Sequence, residues 1–149
     1  MKRQVVRGLT MSIAVVTIAL ATAVVSNAQR QLTANVPFDF VIGDKALPSG
    51  EYAVNRATSD GSVLTIQSAD NKESAVRLTN SIQPKSDNSN ARLVFHRYGS
   101  TYFLAEVWAG GDREGRQLLQ SKREKAMQKE IGRIAQSRYE TIELMATLR

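Results

Sequence analysis

Cysteine is absent from this 149-residue chain. That excludes disulfides, thiolate nucleophiles, cysteine metal sites and a lipidated N-terminal cysteine, and leaves packing to supply the stability. Histidine occurs once, as His96. An imidazole metal centre would therefore need carboxylates for its other ligands, and no short His/Asp/Glu spacing supplies them. There is no nucleophile elbow, Walker loop, dinucleotide fingerprint or calcium loop. Gly110-Gly111 reads as a turn and not a phosphate cradle, because no Gly-Lys-Ser/Thr follows it. Nothing implies a cofactor. Internal repeats and low-complexity segments are also missing.

The long uncharged apolar run sits at the start. Lys2, Arg3 and Arg7 precede Met11–Val25, and Ser26-Asn27-Ala28 places small residues where a signal peptidase cuts. The run is short for a membrane span and is diluted by Thr17 and Thr22. Residues 1–28 are therefore expected to be a secretory signal, cleaved between Ala28 and Gln29, with a secreted or periplasmic product and no transmembrane span afterwards. Residues 29–149 then suit a single domain with one core. Of the net charge of +6, Lys2, Arg3 and Arg7 carry half, so the high isoelectric point overstates the basicity of the exported chain. The remaining excess is concentrated between Arg113 and Arg138.

The aromatic residues collect in one stretch, Arg92–Trp108, which holds the single His and the single Trp. Two runs rich in aromatic and β-branched residues flank Gly99-Ser100, a two-residue hairpin turn with Gly at a position of positive φ. An uninterrupted register pairs Tyr98 with Thr101, His96 with Phe103, Phe95 with Leu104, Val94 with Ala105 and Leu93 with Glu106. Side-chain alternation then places Leu93, Phe95, Arg97, Tyr102, Leu104, Glu106 and Trp108 on one face, and Val94, His96, Tyr98, Thr101, Phe103, Ala105 and Val107 on the other. Neither face is a water face, so the hairpin should be covered on both sides.

Before it, Asn35–Ile42 alternates as a strand with Val36, Phe38, Phe40 and Ile42 on its buried side. Pro37 restricts that strand to an edge or delays its pairing. Leu47-Pro48-Ser49-Gly50 fits a type I turn, followed by a strand carrying Tyr52 and Val54. Asp60-Gly61 and Asp70-Asn71 bound strands at Val63–Gln67 and Ala75–Leu78. Thr79–Asn90 reads as a long solvated loop. After the hairpin, Ser121 and Glu124 have the capping-box spacing, and Met127, Ile131 and Ile134 form an apolar stripe, giving an amphipathic helix over about 121–136. Tyr139–Thr147 fits a closing strand or a continued helix, the strand being favoured. The fold class is mainly β: a small antiparallel barrel or strongly curled sheet with one C-terminal helix.

Val36–Lys45, Leu47–Tyr52, Phe95–Gly99 and Tyr102–Trp108 together resemble a group of small secreted proteins common in acidobacterial genomes. The resemblance implies export and a β domain. It implies no activity and no catalytic residues.

Seven residues are candidates for a ligand pocket: Tyr52, Phe95, His96, Arg97, Tyr102, Glu106 and Trp108. Glu106 is the sharpest, because the uninterrupted register sets it between Leu104 and Trp108 on an apolar face, where a carboxylate would hold its proton and act as acid or base. It could instead pair with an arginine such as Arg77 or Arg97, or sit in water at the mouth of the barrel. The basic helix lacks the aromatic interleaving of a nucleic-acid surface, so nucleic acid is not an expected partner; a small apolar ligand or an anionic envelope component is. The expected function is a non-catalytic binding or envelope-associated module. The alternatives are a small-barrel enzyme, an isomerase or cyclase using Glu106 or His96, and a purely structural envelope protein.

Overall fold

The computed structural model describes residues 31–84, 90–134 and 139–149. The expected signal and its cleavage point lie outside them, as do residues 85–89 of the expected loop and residues 135–136 at the end of the expected helix. Among the described residues, eleven strands and one helix follow in the order β1 (Leu32–Val36), β2 (Phe40–Ile42), β3 (Lys45–Leu47), β4 (Gly50–Arg56), β5 (Val63–Ser68), β6 (Ser74–Ile82), β7 (Ala91–Tyr98), β8 (Thr101–Ala109), β9 (Gly115–Leu118), α1 (Lys122–Ile134), β10 (Glu140–Met145) and β11 (Thr147–Leu148). The strands form one sheet ordered β10-β7-β8-β9-β6-β5-β4-β1-β11, with β2 joining β3 and, in parallel, β8. Every other pairing is antiparallel.

The sheet is mainly antiparallel but is not closed into a barrel, which corrects the closed form of the sequence reading. Its two end strands nevertheless come from one segment. β10 runs along β7, the amide of Ala146 donates to the Ala91 carbonyl, and β11 then pairs with β1. A hand-over also occurs within β6. Ser74–Leu78 pairs with β5 and Thr79–Ile82 with β9, so the expected loop from Thr79 is strand for its first four residues.

Two further elements depart from the sequence reading. The expected strand over Asn35–Ile42 is two strands, because the chain leaves its ladder at Pro37, which has no amide to donate, and resumes at Phe40. Val36, Phe40 and Ile42 still share the core. The short strands β3 and β9 were not anticipated; β9 carries the sequence Gly-Arg-Gln-Leu, with no β-branched residue.

The β7–β8 hairpin lies within the packed body. Gly99 has φ +62° at its turn, as expected. Pairing follows the expected register from Tyr98–Thr101 to Phe95–Leu104, where a β-bulge intervenes. Val94 pairs with Glu106 and Leu93 with Val107, leaving Ala105 as the extra residue. From that point the faces of β8 exchange. Val107 joins Leu93, Phe95 and Leu104 in the main core with Tyr52, Leu64 and Ile66, while Glu106 and Trp108 turn to the opposite side. On that opposite side Tyr98 and Phe103 pack with Val41 under Met127 and Ile131 of α1. The hairpin is thus buried on both faces, with Phe95, Tyr98 and Phe103 no more than 1% exposed.

Helix α1 begins as its sequence requires, the Ser121 hydroxyl accepting the Glu124 amide at 3.1 Å. Among its described side chains, Met127 and Ile131 pack on the sheet and are partly buried. No helix among the described residues is long and apolar enough to cross a membrane.

Candidate functional site

The seven candidate residues do not form one pocket. Tyr52 stands in the main core, its hydroxyl donating to the Pro48 carbonyl at 2.7 Å. Burial, then the charges of Glu73, Asp70 and Asp39, push its phenol above the ordinary value. Phe95 is fully enclosed between Phe38 and Phe40, both met edge to face. Tyr102 stacks on Phe38 at 3.9 Å. Arg97 lies over the Tyr102 ring, donates to the Gly99 carbonyl and pairs with Glu140 at 3.2 Å. These four residues belong to the main core or its rim.

The bulge decides the other candidates. Glu106 does not sit between Leu104 and Trp108 on an apolar face; it accepts a 2.9 Å hydrogen bond from the Trp108 indole N–H on the opposite side. Its expected partners are engaged elsewhere, Arg77 donating to the Ile42 carbonyl and Arg97 pairing with Glu140. Trp108 is buried against Gly115, with the Arg92 guanidinium over its ring at 5.0 Å.

His96 has different surroundings. Three side chains approach a single oxygen, Oε1 of Glu124: His96 Nδ1 at 3.3 Å, Tyr98 Oη at 3.3 Å and Gln120 Nε2 at 3.4 Å. Tyr139 stacks on the imidazole with 4.0 Å between centroids. His96 and Glu124 are 8% and 5% exposed. Burial, reinforced by the Glu124 carboxylate, pushes the Tyr98 phenol well above its ordinary range, so it stays protonated and donates. An ionised carboxylate only accepts, so with Glu124 ionised the proton of neutral His96 lies on Nδ1 and the lone pair on Nε2.

This cluster borders a cleft of about 220 Å³ between β6, β9 and the start of α1, lined also by Asn80, Gln117, Gln120 and Lys125. Amide, ammonium, carboxylate and imidazole groups thus converge on one opening. By contrast, the space that reaches the core residues Leu32, Val54, Leu64 and Val107 amounts to about 20 Å³, room for about one water. Among the described residues no group of three or more His, Cys, Asp or Glu is placed to hold a metal ion.

Sequence reasoning named His96 and missed Glu124, which it used only as a capping-box residue. The signal was present. Glu124 lies three and seven residues before Met127 and Ile131, so it extends their stripe by one turn onto the buried face. Comparison with protein-family models, with curated proteins and with solved structures gave no match.

Proposed function

We propose that this chain is an exported, non-catalytic binding domain of the cell envelope, and that its ligand is met at the surface cleft beneath α1. One observation carries this reading: the buried pair His96 and Glu124, to which Tyr98 is also hydrogen-bonded, lines a cleft where Asn80, Gln117, Gln120 and Lys125 converge beside the apolar Ala105, Leu118 and Leu119. With polar groups in the majority and only three apolar side chains among them, such a lining suits a polar envelope component with an apolar edge, a saccharide for example, better than a small apolar ligand, which would need an apolar cavity of a few hundred Å³. Export rests on the tripartite character of residues 1–28. A curled sheet is part of the proposal, supported by the single C-terminal segment that supplies both end strands.

Amide NMR shifts recorded during titration with soluble envelope saccharides test the binding reading. Perturbations confined to Asn80, His96, Gln117, Gln120 and Lys125, and abolished in Gln120→Ala, are expected. Shifts scattered over the surface would overturn it. For export, the protein recovered from outside the cytoplasm should begin at Gln29.

A second reading, acid-base catalysis, is favoured by the 3.3 Å approach of His96 to Glu124, which would hold the imidazole in the tautomer a general base needs. In that reading Glu124 replaces Glu106 as the second titratable group. Turnover of a cleft-bound ligand by the protein, lost in His96→Gln, would support it over simple binding.

A further inference from the structure

We propose a second site, for a phosphate group, at the end of the molecule where the β8–β9 loop meets β4. A cleft of about 260 Å³ there is lined by Arg56, Asp112, Arg113, Glu114 and Arg116. Gly110 and Gly111, with φ of +69° and +72°, turn the loop so that Asp112 reaches across to Arg56 and pairs with it. Glu114 accepts a hydrogen bond from the Ser81 hydroxyl. Each carboxylate therefore already has a partner, whereas among the described residues neither Arg113 nor Arg116 has an ion pair.

Arg116 is the stronger anomaly. It is in register with Val107 on one side and Ser81 on the other, which places it on the core side of β9. Its guanidinium lies against Gly61, where a Cβ would come within 2.8 Å of Nε, and it also borders the small space beside Leu64 and Val107. Nε is buried and has no hydrogen-bond partner. A shielded guanidinium with an unpaired donor is costly, and the same side chain lines the cleft, where an oxyanion bound to the guanidinium would offset that cost. Two guanidinium groups without an ion pair, with Arg56 beside them held by Asp112, suit a tetrahedral oxyanion, with several oxygens to share, better than a lone carboxylate. The opening accommodates a phosphate or phosphate monoester. This site is separate from the His96 cleft and does not depend on the reading given to that cleft.

The test is a titration of the purified protein with inorganic phosphate at constant ionic strength, chloride making up the balance, followed by thermal unfolding and ³¹P NMR. A saturable rise in Tm with phosphate and none with chloride is expected. Arg113→Gln and Arg116→Gln should each weaken binding by on the order of tenfold or more, while Lys72→Gln, at a separate cleft of about 310 Å³ beside Tyr52 and Glu73, leaves it unchanged. Arg113 is exposed, so its variant reads the site even if Arg116→Gln does not fold. Co-sedimentation with phosphatidylglycerol vesicles, against phosphatidylcholine alone, separates the sources. Vesicle binding displaced by free phosphate identifies a lipid headgroup, and phosphate binding without vesicle binding identifies a soluble phosphate. Equal effects of phosphate and chloride, or phosphate binding retained in both arginine variants, would overturn the proposal.

Discussion

Oε1 of Glu124, in the first turn of α1, lies 3.3 Å from Nδ1 of His96 in the middle of β7. The two residues are 28 positions apart, and their contact does more than decorate a cleft. Helix α1 has thirteen residues and, among its described side chains, rests Met127 and Ile131 on the apolar layer, both partly buried. An isolated helix of that length is marginal in water. The Glu124 cluster is therefore a principal tie between α1 and the sheet.

Glu124→Ala should cost about 2–4 kcal/mol, because it strands the Tyr98 hydroxyl and His96 Nδ1 without their acceptor. Glu124→Gln should cost less, since an amide oxygen still accepts from Tyr98. Urea unfolding followed by circular dichroism gives the energies. Hydrogen exchange should show faster opening of α1 than of β7 and β8 in the alanine variant.

Alkaline pH should loosen the same cluster. The Tyr98 phenol is raised in the folded state, so the folded protein holds a proton that the unfolded chain releases near pH 10. Its contribution is fully present below that value and is lost as pH rises above it. Between pH 10 and 12, Tyr98→Phe should flatten the decline of stability with pH that the native protein shows in urea titrations.

A different constraint holds the β2–β3 turn. Gly43 has φ +64°, and a Cβ there would lie 2.3 Å from Cζ of Arg77, which donates to the Ile42 carbonyl. Gly43→Ala should destabilise by about 1–3 kcal/mol from backbone conformation and overpacking together. Combining it with Arg77→Ala should recover the steric part but not the conformational part. A double-mutant cycle in urea would show this as a non-additive energy.

Deletion of Ala105 tests the bulge. The pairs Val94–Glu106 and Leu93–Val107 survive that deletion, so Trp108 keeps its face, and the cost should stay within about 1–3 kcal/mol. Trp108 is the single tryptophan and is buried, so its native emission should be blue-shifted and remain so in the variant. A red-shifted emission would mean that the faces had exchanged.

Much of this architecture was legible in local pattern. The Gly99 turn, the first four rungs of the hairpin, the Ser121 cap and the closing strand follow from turn chemistry, alternation and capping, which act over a few residues. What escaped was non-local. A one-residue bulge leaves no periodic trace in Leu-Ala-Glu-Val-Trp, yet it moved Glu106 from an apolar face to the Trp108 indole. β9 is a strand only because Thr79–Ile82 offers it a ladder. Of the site, His96 was visible as the lone imidazole, while Glu124 was half visible, its place on the helix stripe being readable and its partners not.

By itself, then, the sequence determined the class of this protein: a cysteine-free, mainly β domain around a doubly buried aromatic hairpin, with one short helix against it. Alternation and the clustering of aromatic residues suffice for that, because they fix which side chains must leave water. Only the tertiary structure decided which polar groups meet. His96 with Glu124, and Arg116 with Arg56 and Arg113, are brought together by register, a bulge and the hand-over of β6 between neighbours. These are properties of how strands pair across the fold, and no window along the chain contains them.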